Sequence, residues 1–281
     1  MAPDISFVIC TRDLSHVRAL TRGLLALKSH LCQTSIELLI VGPSNSDLKE
    51  HLQRLNGREF ACRAIASEWG NRNASRNLGF LHARGKWIYF VDQDIRFPKV
   101  RLAALAQILG QLPSQSAAYC MMSGPYLSPR RCGFWGRFYN WQGNLWLENS
   151  RTGARVLAGN LLMRKSFFIE PPFPEDLLNG GEEIFLCQKA LNLGGGVVQR
   201  RELAVLHLAE HDFWRFCSRL FGHYRVKWQL PYEAKHTRIV LPLILGVARI
   251  SFALIAFSLQ SVGSGLAQLY SLTSRRTARA G

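Results

Sequence analysis

The sequence predicts an α/β fold, with a mostly parallel central sheet flanked by helices and an apolar helical tail at the C-terminus. Three observations carry this reading. Short apolar runs alternate with helix-period stretches through the first hundred residues, 48% of the 281 residues are apolar against 19% charged, and residues 239–259 are almost unbroken in apolarity. Such a length makes one large domain or a domain and a half, and the composition excludes a disordered or collagen-like chain.

The elements follow in order. Ile5 to Cys10 is a strand-length apolar run, and Leu14 to His30 has helical period. Ile36 to Val41 reads as a buried strand, Gly42-Pro43-Ser44-Asn45 as a turn, and Asp47 to Leu55 as a second helix. Phe60 to Ala66 is a candidate third strand. Asn73 to Arg84 carries apolar residues at helical spacing, with Gly85 placed to act as C-cap, and leads into the strongest strand, Lys86 to Val91. A helix is expected over Arg101 to Leu112, then a loop-rich stretch with one strand between Tyr119 and Leu147. Arg155 to Met163 reads as a strand, Glu170 to Asp176 as a Pro-rich loop, Glu182 to Leu193 as an amphipathic helix, Val197 to Leu208 as a strand pair and Asp212 to Leu230 as a basic, aromatic helix.

Charge narrows the partners. With 35 Lys+Arg against 19 Asp+Glu the chain carries +16, which favours phosphorylated ligands, polyanions or an anionic membrane surface. Its seven cysteines are odd in number and widely spaced with no CxxC pair, a pattern of neither a disulfide scaffold nor a zinc site. Together with an N-terminus lacking the basic region and long apolar run of a signal peptide, this predicts a cytoplasmic catalytic domain. The 21 apolar residues from Ile239 to Leu259 are long enough for a bilayer crossing of about 20 residues, but Pro242, Gly246 and Arg249 interrupt them and both flanks are basic. Spanning, lying on the cytoplasmic face of a membrane and packing as a buried hairpin are all compatible with it.

The chemistry concentrates at Asp92-Gln93-Asp94, which ends the strand Trp87 to Val91. Ligands of open α/β sheets sit beyond the carboxyl ends of strands, and two acids at i and i+2 there can hold a hard cation, Mg²⁺ or Mn²⁺, that shares its other sites with phosphates. Alone, such a pair is also a common loop cap. Upstream stands Asn73-Ala74-Ser75-Arg76-Asn77-Leu78-Gly79, then Ala83 and Gly85. Downstream stand Leu157-Ala158-Gly159-Asn160 and Gly180-Gly181-Glu182-Glu183.

In this order and spacing the motifs resemble the family 2 glycosyltransferases, over about residues 4 to 212. The resemblance implies a GT-A, Rossmann-like domain whose 1–112 half binds a nucleotide sugar and whose 113–212 half binds the acceptor; outside it, the apolar run makes 213–281 an expected basic and apolar helical tail, associated with a membrane. It implies donor contacts from Thr11, Arg12, Arg76, Asn77, Asp92 and Asp94, and acceptor contacts from Gly159, Asn160 and the aromatic segment around Trp141. Asp94 and His207 would hold the metal. Glu183, or its neighbour Glu182, would be the general base of an inverting transfer to a glycan or lipid-linked acceptor, in polysaccharide or glycolipid biosynthesis. Two departures stand out. Gly42-Pro43-Ser44-Asn45-Ser46-Asp47 replaces the family's acid-rich turn, which puts a uridine donor in doubt, and Glu183 stands where the family has Asp. The Gln-x-x-Arg-Trp motif of processive synthases is absent, which favours transfer of one or a few sugars.

Two other readings compete. A haloacid dehalogenase-like phosphatase also has an apolar strand ending in Asp-x-Asp, but there the motif opens the core, whereas here strands precede it. A basic nucleic-acid binder would suit the charge, but the basic residues are spread along the chain and no recognised binding motif is present, so no nucleic acid is expected.

Overall fold

The computed structural model describes residues 3–216, apart from 12, 32, 44–45, 57–59, 69, 113–118, 131, 149–154, 178–180, 209–211 and 215. The apolar run 239–259 and most of the expected 212–230 helix lie outside these residues. Among the described residues no helix is long and apolar enough to cross a membrane.

The first half follows the predicted alternation: β1 (Ile5–Cys10), α1 (Leu14–Lys28), β2 (Ile36–Gly42), α2 (Ser46–Leu55), β3 (Ala61–Ala66), α3 (Arg72–His82) and β4 (Trp87–Asp92). Asp13 caps α1 by accepting from Ser15 N at 2.8 Å, and Asn71 caps α3 by accepting from the amides of Asn73 and Ala74. Both satisfy amides that a helix start leaves unpaired. Then come β5 (Ile95–Arg96), α4 (Leu102–Gln111), β6 (Tyr119–Ser123), β7 (Tyr126–Leu127), α5 (Phe134–Glu148), β8 (Asn160–Arg164), α6 (Glu182–Asn192), β9 (Gly196–Gln199) and β10 (Val205–His207).

Seven strands form one sheet in the order β3-β2-β1-β4-β8-β6-β9. β1 lies parallel to β2 and β4, β2 to β3 and β6 to β9, while β8 runs antiparallel to β4 and β6. The sheet is thus mostly parallel, and it runs without a break from the residues before 112 into those after it. Strand alternation divides the core. Ile5, Phe7, Ile9, Leu38, Ile40 and Tyr89 pack under α1, α2 and α4, whereas Val8, Cys10, Leu39, Val41, Ile88 and Phe90 pack under α3 and α6. Cys10, Cys62, Cys120 and Cys187 are buried thiols.

Four expectations need correction. The 119–147 stretch holds two strands and the 15-residue helix α5. Its glycines and aromatic residues disguise the helix, which is organised by the rings of Trp135 and Phe138 turned inward. Gly85 is not a C-cap: α3 ends at Ala83 with extended backbone, and a Cβ on Gly85 would lie 2.6 Å from both Ser6 N and Ser6 Oγ, so close approach to β1 requires the glycine. The strand expected from Arg155 begins only at Asn160. The two strands expected to pair over 197–208 lie in different sheets, because β9 joins β6 while β10 joins β5 and β7.

Candidate active site

Register places the site. Cys10 stands opposite both Val41 and Asp92, and Gly42 opposite Ala66, so the strands of the first half end along one edge. Thr11, just past β1, is buried, and its hydroxyl donates to Gln93 Oε1 at 2.8 Å while accepting from Asp13 N at 3.0 Å. It braces the Asp-Gln-Asp turn from the first strand's exit. Its neighbour Arg12 lies outside the described residues. At the same edge a cavity of about 200 Å³ is lined by Gly42, Pro43, Leu48, Lys49 and the end of β3, and none of its lining residues is acidic.

The centre of the site is a buried guanidinium. Arg76 is 1% exposed, and it donates from Nη2 to Asp92 Oδ1 and from Nη1 to Glu182 Oε1, both at 2.8 Å, with Asn73 Oδ1 a third acceptor at 3.2 Å. Arg72, one turn earlier on α3, reaches Asp92 Oδ2 at 3.4 Å. Burial pushes the carboxyls of Asp92 and Glu182 up, but Arg76 and Arg72 together with the hydrogen bonds the carboxylates accept outweigh it and hold both below the ordinary carboxylate range. Arg76 therefore faces two acids of the protein and bridges β4 and α6. Because both Asp92 oxygens are engaged by arginines, the residue is also unsuited to act as a phosphatase nucleophile.

Gly181, with φ 94°, turns the chain into α6 and sends Glu182 and Glu183 into its first turn. The two glutamates then diverge. Glu182 is paired with Arg76, whereas burial, reinforced by the Glu182 charge, pushes Glu183 up to about 7. Glu183 Oε2 is buried with no hydrogen-bond partner among the described residues. A carboxyl of that kind suits proton abstraction near neutral pH.

Asp94 and His207 come together because β10 pairs antiparallel with β5, His207 opposite Ile95, and the distance from His207 Nε2 to Asp94 Oδ2 is 3.3 Å. Asn140 on α5 fixes the ring. Its Nδ2 donates to Ser128 Oγ at 3.0 Å and to His207 O at 3.1 Å, so its Oδ1 is the acceptor for His207 Nδ1–H at 2.6 Å. In the neutral ring Nε2 then presents a lone pair to the Asp94 carboxylate, and two such groups face each other stably with a proton or a cation between them. A nitrogen and a carboxylate, with the second ring nitrogen held by an amide, form a donor set that fits Mn²⁺ or Mg²⁺. No group of three or more His, Cys, Asp or Glu suited to a metal occurs among the described residues, so such an ion would take most of its ligands from phosphates and water.

Gly159 lies directly against Asp92: its carbonyl accepts from Asp92 N at 3.0 Å, and a Cβ there would come 2.6 Å from Asp92 Oδ2 and 2.7 Å from the Tyr126 hydroxyl. Tyr126 is the residue that sequence reasoning missed. Its ring stacks on His207 with centroids 4.3 Å apart, and burial together with Asp92, Asp94 and Glu183 raises its hydroxyl well above the usual phenol range. No local signal marks it, because strand pairing between β7 and β10 brings it in.

Three residues expected to contact substrate are engaged within the protein. Asn160 is 1% exposed; it accepts from Tyr89 Oη at 2.7 Å and donates to Leu203 O at 2.8 Å and Gly124 O at 3.0 Å, leaving no polar atom for an acceptor. Asn77 donates to Phe173 O and Glu175 Oε1 and accepts from Phe173 N, so it holds the Pro-rich loop over α3 instead of a nucleotide. Trp141, one residue past the inward Asn140, packs on Phe138 and is half exposed, outside this cluster.

Comparison with known proteins identifies the fold and the family. The chain is similar in fold to a mannosyltransferase from Pyrobaculum calidifontis, solved in complex with GDP-Man and Mn²⁺, with a TM-score of 0.62 at 15% identity over 95% of this chain and 81% of that one. It is also similar to Staphylococcus aureus TarS residues 1–349, with a TM-score of 0.50 at 15% identity over 79% of this chain and 72% of that one. The same TarS fragment in complex with UDP-GlcNAc gives a TM-score of 0.50 at 15% identity, over 76% and 61% of the two chains. These likenesses establish a GT-A fold. No protein of curated function matches the sequence. The model of glycosyl transferase family 2 matches residues 9–152, just over half of the chain, and the chain therefore belongs to that family.

Proposed function

We propose that this protein is an inverting, metal-dependent hexosyltransferase that moves a sugar from a nucleoside diphosphate to a hydroxyl of a glycan or lipid-linked acceptor. The observation that carries the reading is the contrast between adjacent glutamates, Glu182 paired to Arg76 through Oε1 and held low, and Glu183 raised to about 7. Glu183 accepts the proton of the acceptor hydroxyl, the acceptor oxygen bonds to the anomeric carbon, and the bond from that carbon to the diphosphate oxygen breaks with its electron pair leaving on the diphosphate. Single displacement of this kind inverts the anomeric centre.

Asp94 and His207 would hold the divalent ion, Mn²⁺ or Mg²⁺, and the ion would supply positive charge beside the departing diphosphate. Arg72, half exposed beside Asp92, adds a cation on the donor side. The cavity at the ends of β2 and β3, with Lys49 and no acid in its lining, supports a donor base held otherwise than by a carboxylate.

The test is a panel of uridine and guanosine diphosphate sugars with Mn²⁺ or Mg²⁺, following nucleotide release by the native chain, Asp94→Ala and Glu183→Gln. At least one donor is expected to turn over with the native chain and to fail with both variants. Turnover unaffected by Asp94→Ala would overturn the assignment.

A further inference from the structure

Helix α5 presents two different faces. Inward, Asn140 holds His207 and Asn144 bonds both the amide and the carbonyl of Tyr126 at 2.8 Å. Outward, Phe134 and Trp141 are 42% and 51% exposed, and Trp214, in the segment after β10, is 77% exposed. These rings belong to one cluster. Phe134 meets Trp135 at 5.0 Å, Phe138 meets Trp141 at 5.3 Å, Trp135 meets Phe213 at 5.1 Å, and Phe213 meets Trp214 at 5.2 Å. Buried Trp135, Phe138 and Phe216 form its floor. The exposed rings are therefore fixed on a rigid support.

Phe134 and Trp141, seven residues apart on one side of α5, and Trp214 in the segment after β10 expose apolar ring surface that water does not favour. Indole suits the boundary between lipid and water, being an apolar ring with one N–H donor. Two exposed arginines and one exposed acid, Asp212, lie near the rings. Arg130 and Arg137 are exposed at the start of α5, where Arg137 donates to the carbonyls of Cys132 and Arg130 and so stays beside the rings. Beyond Phe216 the sequence continues with 65 residues that hold nine Lys+Arg and one Glu and include the apolar run 239–259. Arg130 and Arg137 near the rings and the net +16 of the whole chain match an anionic bilayer and oppose binding to a second copy of the same basic chain.

We propose that the outward face of α5, with Trp214, is a docking surface for an anionic lipid bilayer. Asn140 holds His207 from the opposite face of the same helix, so docking would set the Asp94–His207 pair behind α5, one helix diameter, roughly 10 Å, from the membrane surface. Resting on the glycosyltransferase reading, this selects a lipid-carried acceptor among the acceptors open to it. The docking itself stands without that reading.

The experiment compares the full chain with the Phe134→Ser/Trp214→Ser variant, neither residue being part of the site. Sedimentation with phosphatidylcholine vesicles containing phosphatidylglycerol is expected to show native binding that weakens with salt, and binding at least about tenfold weaker for the variant from the lost apolar area. Nucleotide release from the donor in the absence of acceptor is expected to agree within about twofold between the two proteins, since the site is untouched. Equal binding by both proteins, no native binding, or a native dimer that the variant dissociates with vesicle binding unchanged would each overturn the proposal. If no donor releases nucleotide with either protein, the glycosyltransferase reading fails while the vesicle result still decides the docking surface.

Discussion

Arg76 and Glu182, 106 positions apart in the chain, meet at 2.8 Å in the interior, and the same guanidinium holds Asp92 at 2.8 Å. A fully charged fork can satisfy two buried carboxylates at once, which a lysine cannot do with the same geometry. Arg76→Met would leave Glu182 buried without its partner and Asp92 with Arg72 alone, at a cost of about 3–5 kcal/mol. Thermal melts are expected to show that loss at neutral pH. Asp92 and Glu182 both have folded pKa values below their unfolded ones, so their contribution is complete above about pH 5 and is lost as pH falls through the folded values. The gap in stability between native and variant should accordingly close in acid.

On the proposed mechanism Glu183 sets the pH dependence of the rate. A base works deprotonated, so with a pKa near 7 the acceptor-dependent kcat is expected to rise with pH through about 7 with unit slope. Glu183→Gln should lower kcat by about 10²–10⁴. Glu182→Gln removes the negative charge beside Glu183, so its acidic limb should move to lower pH while activity persists. A dead Glu182→Gln enzyme with native stability would make Glu182 the base.

Much of this site was legible before any coordinates. Asp92, Asp94, Glu183 and His207 all lie at element ends, where strand and helix periodicity already points. The roles of Arg76, Asn77 and Asn160 were not legible, because each depends on which distant group fills the hydrogen-bonding capacity of a buried side chain: Glu182, Phe173 and Leu203 respectively. Tyr126 and α5 escaped for a related reason. A two-residue strand has no period to detect, and the aromatic residues of α5 declare their inner and outer faces only once β10 supplies a neighbour.

Gly159 tests how tightly the donor side is built. In Gly159→Ala the added Cβ would stand 2.6 Å from Asp92 Oδ2 and 2.7 Å from the Tyr126 hydroxyl, closer than real contacts allow. Either the carboxylate leaves Arg76 or the tyrosine leaves its stack on His207. Overpacking of this kind costs about 1–3 kcal/mol, small enough for a folded protein. A variant with a cooperative melt and at least about tenfold lower turnover is expected, since misplacement by an ångström already costs that much. Native turnover would show that Asp92 tolerates displacement.

Asn140 offers a test of the metal side that leaves both proposed ligands in place. Its Oδ1 holds His207 Nδ1–H at 2.6 Å and so leaves Nε2 to face Asp94. Asn140→Leu removes that acceptor, frees the ring to rotate or to exchange tautomers, and exposes the His207 carbonyl to a side chain with no donor. Partners of this kind usually contribute 10- to 100-fold to metal affinity, so the Mn²⁺ concentration for half-maximal turnover is expected to rise by about that factor. Asn140→Asp keeps an acceptor for Nδ1–H and is expected to retain more of the affinity than the leucine variant. The readout separates this role from mere stability, because at saturating Mn²⁺ the donor KM of both variants should return to within about threefold of native if only ring orientation has changed. A leucine variant with native Mn²⁺ dependence would show that the Asn140 contact orients nothing that the ion uses.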